Sequence, residues 1–133
     1  MPEKKVVLIV SNDLGFLCWL GFTLGMAGHR ALPAKGVAEA ERLLEDFNLQ
    51  VDVLIIDPAL EGAGALAQTL RWSPNQTRTI AVATGKSAGF SPLSSPFDVF
   101  KALPEQSSAQ AAESWIQSVE AQLEANLKPV FTF

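Results

Sequence analysis

The stretch VDVLIID, Val51 to Asp57, decides the fold. Its aliphatic residues are consecutive rather than alternating, so the strand they predict, Val51–Ile56, is buried on both faces. Working outward, Val6–Val10 (VVLIV) has the same character and ends at Ser11-Asn12-Asp13. Ile80–Ala83 is a third such strand, ending at Thr84, and Val99–Phe100 is a short one, ending at Lys101. Arg30–Ala34 reads as an edge strand, because Pro33 removes a ladder donor. Helical patterns fill the gaps. Leu14–Ala27 follows an N-cap at Asp13 and closes at Gly28. Val37–Phe47 places Val37, Ala40, Leu43, Leu44 and Phe47 on one face. Ala65–Trp72 is stopped by Ser73-Pro74. Ser107 or Ser108 caps a last helix with the stripe Ala112, Trp115, Ile116, Val119, Leu123 and Leu127. Strand and helix alternate throughout, which predicts an α/β fold with helices on both faces of a parallel sheet. Between Thr84 and Val99 the glycine, serines and prolines predict a loop, so the fourth helix is expected to be short or absent. Residues 1–128 make one domain and 129–133 a tail.

The chain has 133 residues, 48% hydrophobic and 18% charged. The usual charged share is about 25%, and this balance excludes a disordered chain. The shortfall is local: from Val6 to Ala27, Asp13 is the only charged residue. A net charge of −4 argues against a nucleic-acid surface, which needs clustered cations. One cysteine and one histidine leave no internal disulfide and no zinc set, consistent with a reducing, cytoplasmic setting. Lys4-Lys5 before VVLIV has the look of a signal peptide. Its apolar run breaks at Ser11, below the roughly 7–15 residues required. Leu14–Ala27 falls short of the roughly 20 residues that span a bilayer, so no membrane association is expected.

In open parallel sheets, function collects at the carboxyl ends of the strands. Those ends carry Ser11, Asn12, Asp13, Asp57, Thr84 and Lys101. Any one of them is what a strand end needs to meet a polar loop. Together they bring a carboxylate, a hydroxyl and an ammonium to neighbouring strands.

On VVLIVSND, the AGH after the first helix, KGVAEAERLL, VDVLIIDPALEGAGAL, TIAVATG and FDVFKALP, the chain resembles the receiver domains of two-component response regulators. It looks like an atypical, degenerate member of the chemotaxis-type, single-domain kind. The resemblance implies a doubly wound five-stranded sheet in the flavodoxin-like order 2-1-3-4-5. It implies that Asp57 is the phosphoacceptor, loaded by a histidine kinase or phosphotransfer protein, with Thr84 and Lys101 contacting the phosphoryl oxygens. It also implies an acidic pair after the first strand that holds Mg²⁺. Here that pair is Ser11 and Asn12, and only Asp13 follows. Magnesium binds through carboxylates in near-octahedral geometry, so no metal site is expected and a Mg²⁺ cofactor is doubtful. Without metal, Asp57 can settle into a standing ion pair with Lys101. Two further departures concern the switch: Ala102 replaces the family's proline, and Asp98 replaces its aromatic residue, with Phe97 and Phe100 out of register.

Other motifs are weaker. Gly62-Ala63-Gly64-Ala65-Leu66-Ala67 fits G-x-G-x-x-A but begins five residues after the strand, as a flexible loop would. Gly85-Lys86-Ser87 lacks the first glycine of a phosphate loop. Cys18 reads as a small helix residue, and His29 as a solvated strand start. With no base, nucleophile set or phosphate loop, an enzyme is not expected.

The first helix carries a stronger signal. With Phe16, Leu17, Leu20, Leu24 and Ala27 inward, its outer face lacks charge and holds Trp19, Phe22 and Met26 among small residues. Such a patch marks an interface with a second copy or a partner protein, unless the tail residues Val130, Phe131 and Phe133 cover it. The expected function is a stand-alone receiver-like signalling module of a phosphorelay, working through protein contacts. The alternative is a phosphorylation-independent pseudo-receiver that dimerises or docks through its first helix.

Overall fold

A computed structural model describes residues 5–74, 76–83, 97–104 and 108–127. The elements alternate in the order β1 (Val6–Val10), α1 (Leu14–Met26), β2 (Arg30–Ala34), α2 (Val37–Phe47), β3 (Val53–Ile56), α3 (Ala63–Arg71), β4 (Arg78–Ala83), β5 (Val99–Ala102) and α4 (Ala109–Leu127). The five strands form one sheet, β2-β1-β3-β4-β5, with every neighbouring pair parallel. This is the doubly wound order that the resemblance implies. The segment between β4 and β5, where a short or absent fourth helix is expected, lies outside the described residues, as do Thr84, Ser107 and the tail.

The crossovers between parallel strands distribute the helices over two faces. On one face, Val7, Ile9, Val53, Ile55, Ile80 and Val82 pack with Phe16, Leu17, Leu20 and Leu24 of α1 and Trp115, Val119 and Leu123 of α4. On the other, Leu8, Val10, Leu54, Ile56 and Ala81 pack with Ala40 of α2 and Ala63, Leu66, Ala67 and Leu70 of α3. Strand positions therefore alternate between two complete cores, which explains why β1 and β3 are apolar at every position. Each buried Leu or Ile contributes about 1.5–3 kcal/mol relative to exposure.

Several boundaries differ from the sequence reading, for identifiable reasons. β3 begins at Val53, because Asp52 caps the sheet edge: its Oδ2 accepts from Val6 N at 2.9 Å. β4 starts two residues early, at Arg78, paired to Val53. β5 runs on through Lys101 to Ala102. α3 starts at Ala63, because Gly62 takes a left-handed φ of 82° that turns the chain into the helix. The Gly62–Ala67 motif is thus a helix start rather than a flexible loop, and the buried Ala63 and Ala67 pack on the sheet. In α1, Thr23 is buried where sequence reasoning favoured Ala27, because spacing along the helix outweighs one hydroxyl. Phe47 is exposed at the end of α2, not part of its inward face. His29 is not solvated: its imidazole is largely buried, and Nε2 lies 3.3 Å from Glu120 Oε2 of α4. That partner is 91 residues away in sequence. Of the two capping candidates for α4, Ser108 does the work, its Oγ accepting from Ala111 N at 3.0 Å.

Candidate functional site

The carboxyl edge of the sheet brings β1, β3 and β5 to one side of the molecule. Ile56 is paired with Ala81, so Asp57 falls opposite Val82, which is itself paired with Lys101. Asp57 and Lys101 thus occupy one row across the sheet. Two strand spacings separate their backbones, about 9.6 Å.

Asp57 is half-buried. Its N–H donates to Val10 O at 3.1 Å, continuing the ladder one residue past β3. Oδ1 accepts from Ala59 N at 2.9 Å, an Asx-type turn that leads the chain away from the sheet. Lys101 does not pair with it. Its Nζ donates to Ser114 Oγ of α4 at 2.7 Å and lies 5.3 Å from the centre of the Trp115 ring. A charged hydrogen bond with a cation–π contact provides roughly 2 kcal/mol of local attraction, so the ammonium rests on α4. The expected Asp57–Lys101 ion pair is therefore corrected: the two share a row, but the lysine's contacts are with the helix.

At the end of β1, Ser11 is buried and its Oγ accepts from Asp13 N at 3.1 Å. Asn12 is exposed. Asp13 Oδ1 accepts from Phe16 N at 3.1 Å, which makes it the N-cap of α1. The one carboxylate near Asp57 on this strand end is occupied with the helix, and its neighbours are neutral. Among the described residues, no three His, Cys, Asp or Glu side chains group as a cation site. These donors do not fit the oxygen-rich octahedral shell that Mg²⁺ requires. Thr84 lies outside the described residues.

Asp98, in the place of the family's aromatic residue, belongs to the opposite edge. Its side chain is 5% exposed. Oδ1 lies 2.7 Å from Arg71 Nη2 and 3.5 Å from Arg78 Nη1, and Oδ2 accepts from Thr79 N at 2.8 Å. Arg78 Nε donates to Gln122 Oε1 at 3.0 Å. One carboxylate thereby joins α3, β4 and α4. Phe97 is buried and Phe100 half-buried, meeting edge to face at 5.9 Å in the α2/α3 core.

On α1 the exposed apolar stripe is Leu14, Cys18, Phe22 and Met26, each one turn from the last. Phe22 is 70% exposed and Met26 75%. Trp19 is only partly exposed, packed on the core beside Phe16 at 6.3 Å between ring centres. Its place in the candidate surface passes to Leu14, which the sequence reading did not single out. Spacing alone could have found Leu14, since it begins the i, i+4, i+8 series. Of the partners of Lys101, Trp115 was legible only as part of the apolar stripe of the last helix, and Ser114 carried no signal in the sequence.

Neither a protein-family model nor a curated protein sequence matches the chain. Solved structures do. A CheY-like response regulator receiver domain protein from Methanospirillum hungatei is 19% identical, with a TM-score of 0.72 over 93% of this chain and 97% of its own. A response regulator receiver protein from Burkholderia phymatum is 20% identical, with a TM-score of 0.72 over 91% and 96%. The receiver domain of the hybrid histidine kinase CckA is 18% identical, with a TM-score of 0.65 over 89% and 98%. Strand order, helix layers and these matches agree: the chain has the fold of the response regulator receiver domains.

Proposed function

We propose that this protein is a receiver-like signalling module that works by binding other proteins rather than by catalysis, with α1 as its contact surface. The observation that carries this reading is the state of the acceptor edge. Phosphoryl transfer relies on charge neutralisation around the acceptor. Here the nearest strand-end carboxylate caps a helix, its neighbours are neutral, and Lys101 is held on α4. The uncharged stripe Leu14, Cys18, Phe22 and Met26 supports a contact that needs no phosphoryl group.

A second reading keeps Asp57 as a working phosphoacceptor in a phosphorelay with a histidine kinase or phosphotransfer protein. Asp57 is half-buried rather than sealed, and Lys101 shares its row. Incubation with acetyl phosphate and Mg²⁺, followed by intact mass, separates the two. The contact reading expects no adduct; a stable gain of about 80 Da, absent in Asp57→Ala, overturns it in favour of phosphorylation. The contact surface is tested by light scattering of wild type and Phe22→Glu. Loss of self-association in the variant supports a helix-face dimer, and monomers in both exclude one.

A further inference from the structure

We propose that the groove between α2 and α3 is a docking site for a cationic amphipathic helix of another protein. The groove has a volume of about 420 Å³. Leu44, Ala65 and Leu66 give it an apolar floor, and Glu41 and Glu45 stand on its α2 side. Both helices connect parallel strands, so both run toward the amino edge of the sheet and end there together. At that end Phe47 is 65% exposed and Trp72 80% exposed. Phe47 follows Leu44 by one turn, and Trp72 follows the groove residue Thr69 by one turn. Each ring thus stands one turn beyond a lining residue of the groove, at the end where the two helices finish. Tryptophan is among the residues enriched at the energetic centres of interfaces.

The charge pattern selects the occupant. Neither Glu41 nor Glu45 has an ion-pair partner among the described residues. They lie one turn apart, about 6 Å along the helix. Lys or Arg side chains at i and i+4 of a helix laid in the groove have the same spacing, while the apolar face of that helix meets Leu44 and Leu66. Among the described residues, a second copy of this chain supplies no such helix. α1 and α4 contain no Lys or Arg. α2 is itself acidic, and Arg71 of α3 is engaged with Asp98. The partner is therefore a different protein. The site lies on the opposite face of the sheet from α1, and the proposal stands apart from the reading of Asp57.

The test uses a 16-residue Leu/Lys peptide designed as an amphipathic helix, without tryptophan, and a shuffled isomer of equal charge. Binding is read by tryptophan emission and by calorimetry on the full chain. The expected result is saturable one-to-one binding of the helical peptide with a blue shift that Trp72→Ala removes. Glu41→Gln/Glu45→Gln is expected to weaken binding roughly three- to tenfold at low ionic strength, and less in high salt. Both positions are exposed, so the variant tests charge without endangering the fold. Equal binding of the shuffled peptide, an unchanged affinity in the double variant, or loss of binding in Phe22→Ser overturns the proposal. The last of these assigns the peptide to α1.

Discussion

Asp57 and Lys101 show how much a single side-chain direction decides. Sheet register puts them in one row, yet the ammonium is drawn to Ser114 and Trp115 and leaves the carboxylate to its own Asx turn. Asp98 is the reverse case, a carboxylate whose partners all converge. Removing it takes away the nearly buried carboxylate that Arg71, Arg78 and the Thr79 amide share. Asp98→Ala is expected to lower stability by about 3 kcal/mol, read from the urea midpoint, with Asp98→Asn costing less because it still accepts from Thr79. Thr79 itself carries a buried hydroxyl with no hydrogen-bond partner among the described residues. Thr79→Val removes that unsatisfied oxygen at nearly constant shape. A gain of about 1 kcal/mol in the same unfolding measurement is expected; a loss would mean the hydroxyl has a partner.

At the scale of elements, α1 depends on its ends and on burial rather than on charge. It has no acidic residue in its first turn and no basic one in its last. Its start rests on the Asp13 cap, and its end on Gly28 at a φ of 93°, whose N–H donates to Gly25 O. Asp13→Ala is expected to cost about 1 kcal/mol in thermal or urea unfolding. If Asp13 served a metal instead, the same substitution would leave stability nearly unchanged and abolish a Mg²⁺-dependent shift in melting temperature. α2 is the contrast. Its acidic outer face needs no burial, and its inward face ends before Phe47, which is exposed.

At the scale of the molecule, two cores share one sheet, and β1 and β3 lie between them. Val7 to Val10 and Val53 to Ile56 have no accessible surface. Amide hydrogen exchange should be slowest there, approaching the global unfolding free energy, and faster in β2 and at the end of α2. Comparable rates in β2 and β3 would contradict the two-core description. Among the described residues no helix is long and apolar enough to cross a membrane.

Sequence alone determined the alternation of strands and helices. Val6–Val10 and Val37–Phe47 were readable to the residue, because a run apolar at every position and 3.6-residue periodicity are local signals of burial. It also identified Ser11, Asn12 and Asp13 as a strand end short of carboxylates. Tertiary structure alone decided that Lys101 rests on α4, that His29 meets Glu120 and that Asp98 ties the far edge together. The reason is physical. Most of the burial, as in β1, β3 and the inward stripe of α1, follows from spacing along the chain. Which partner a charged side chain takes depends on competition among groups that only folding brings within reach, at energies of one or two kcal/mol that no local pattern records.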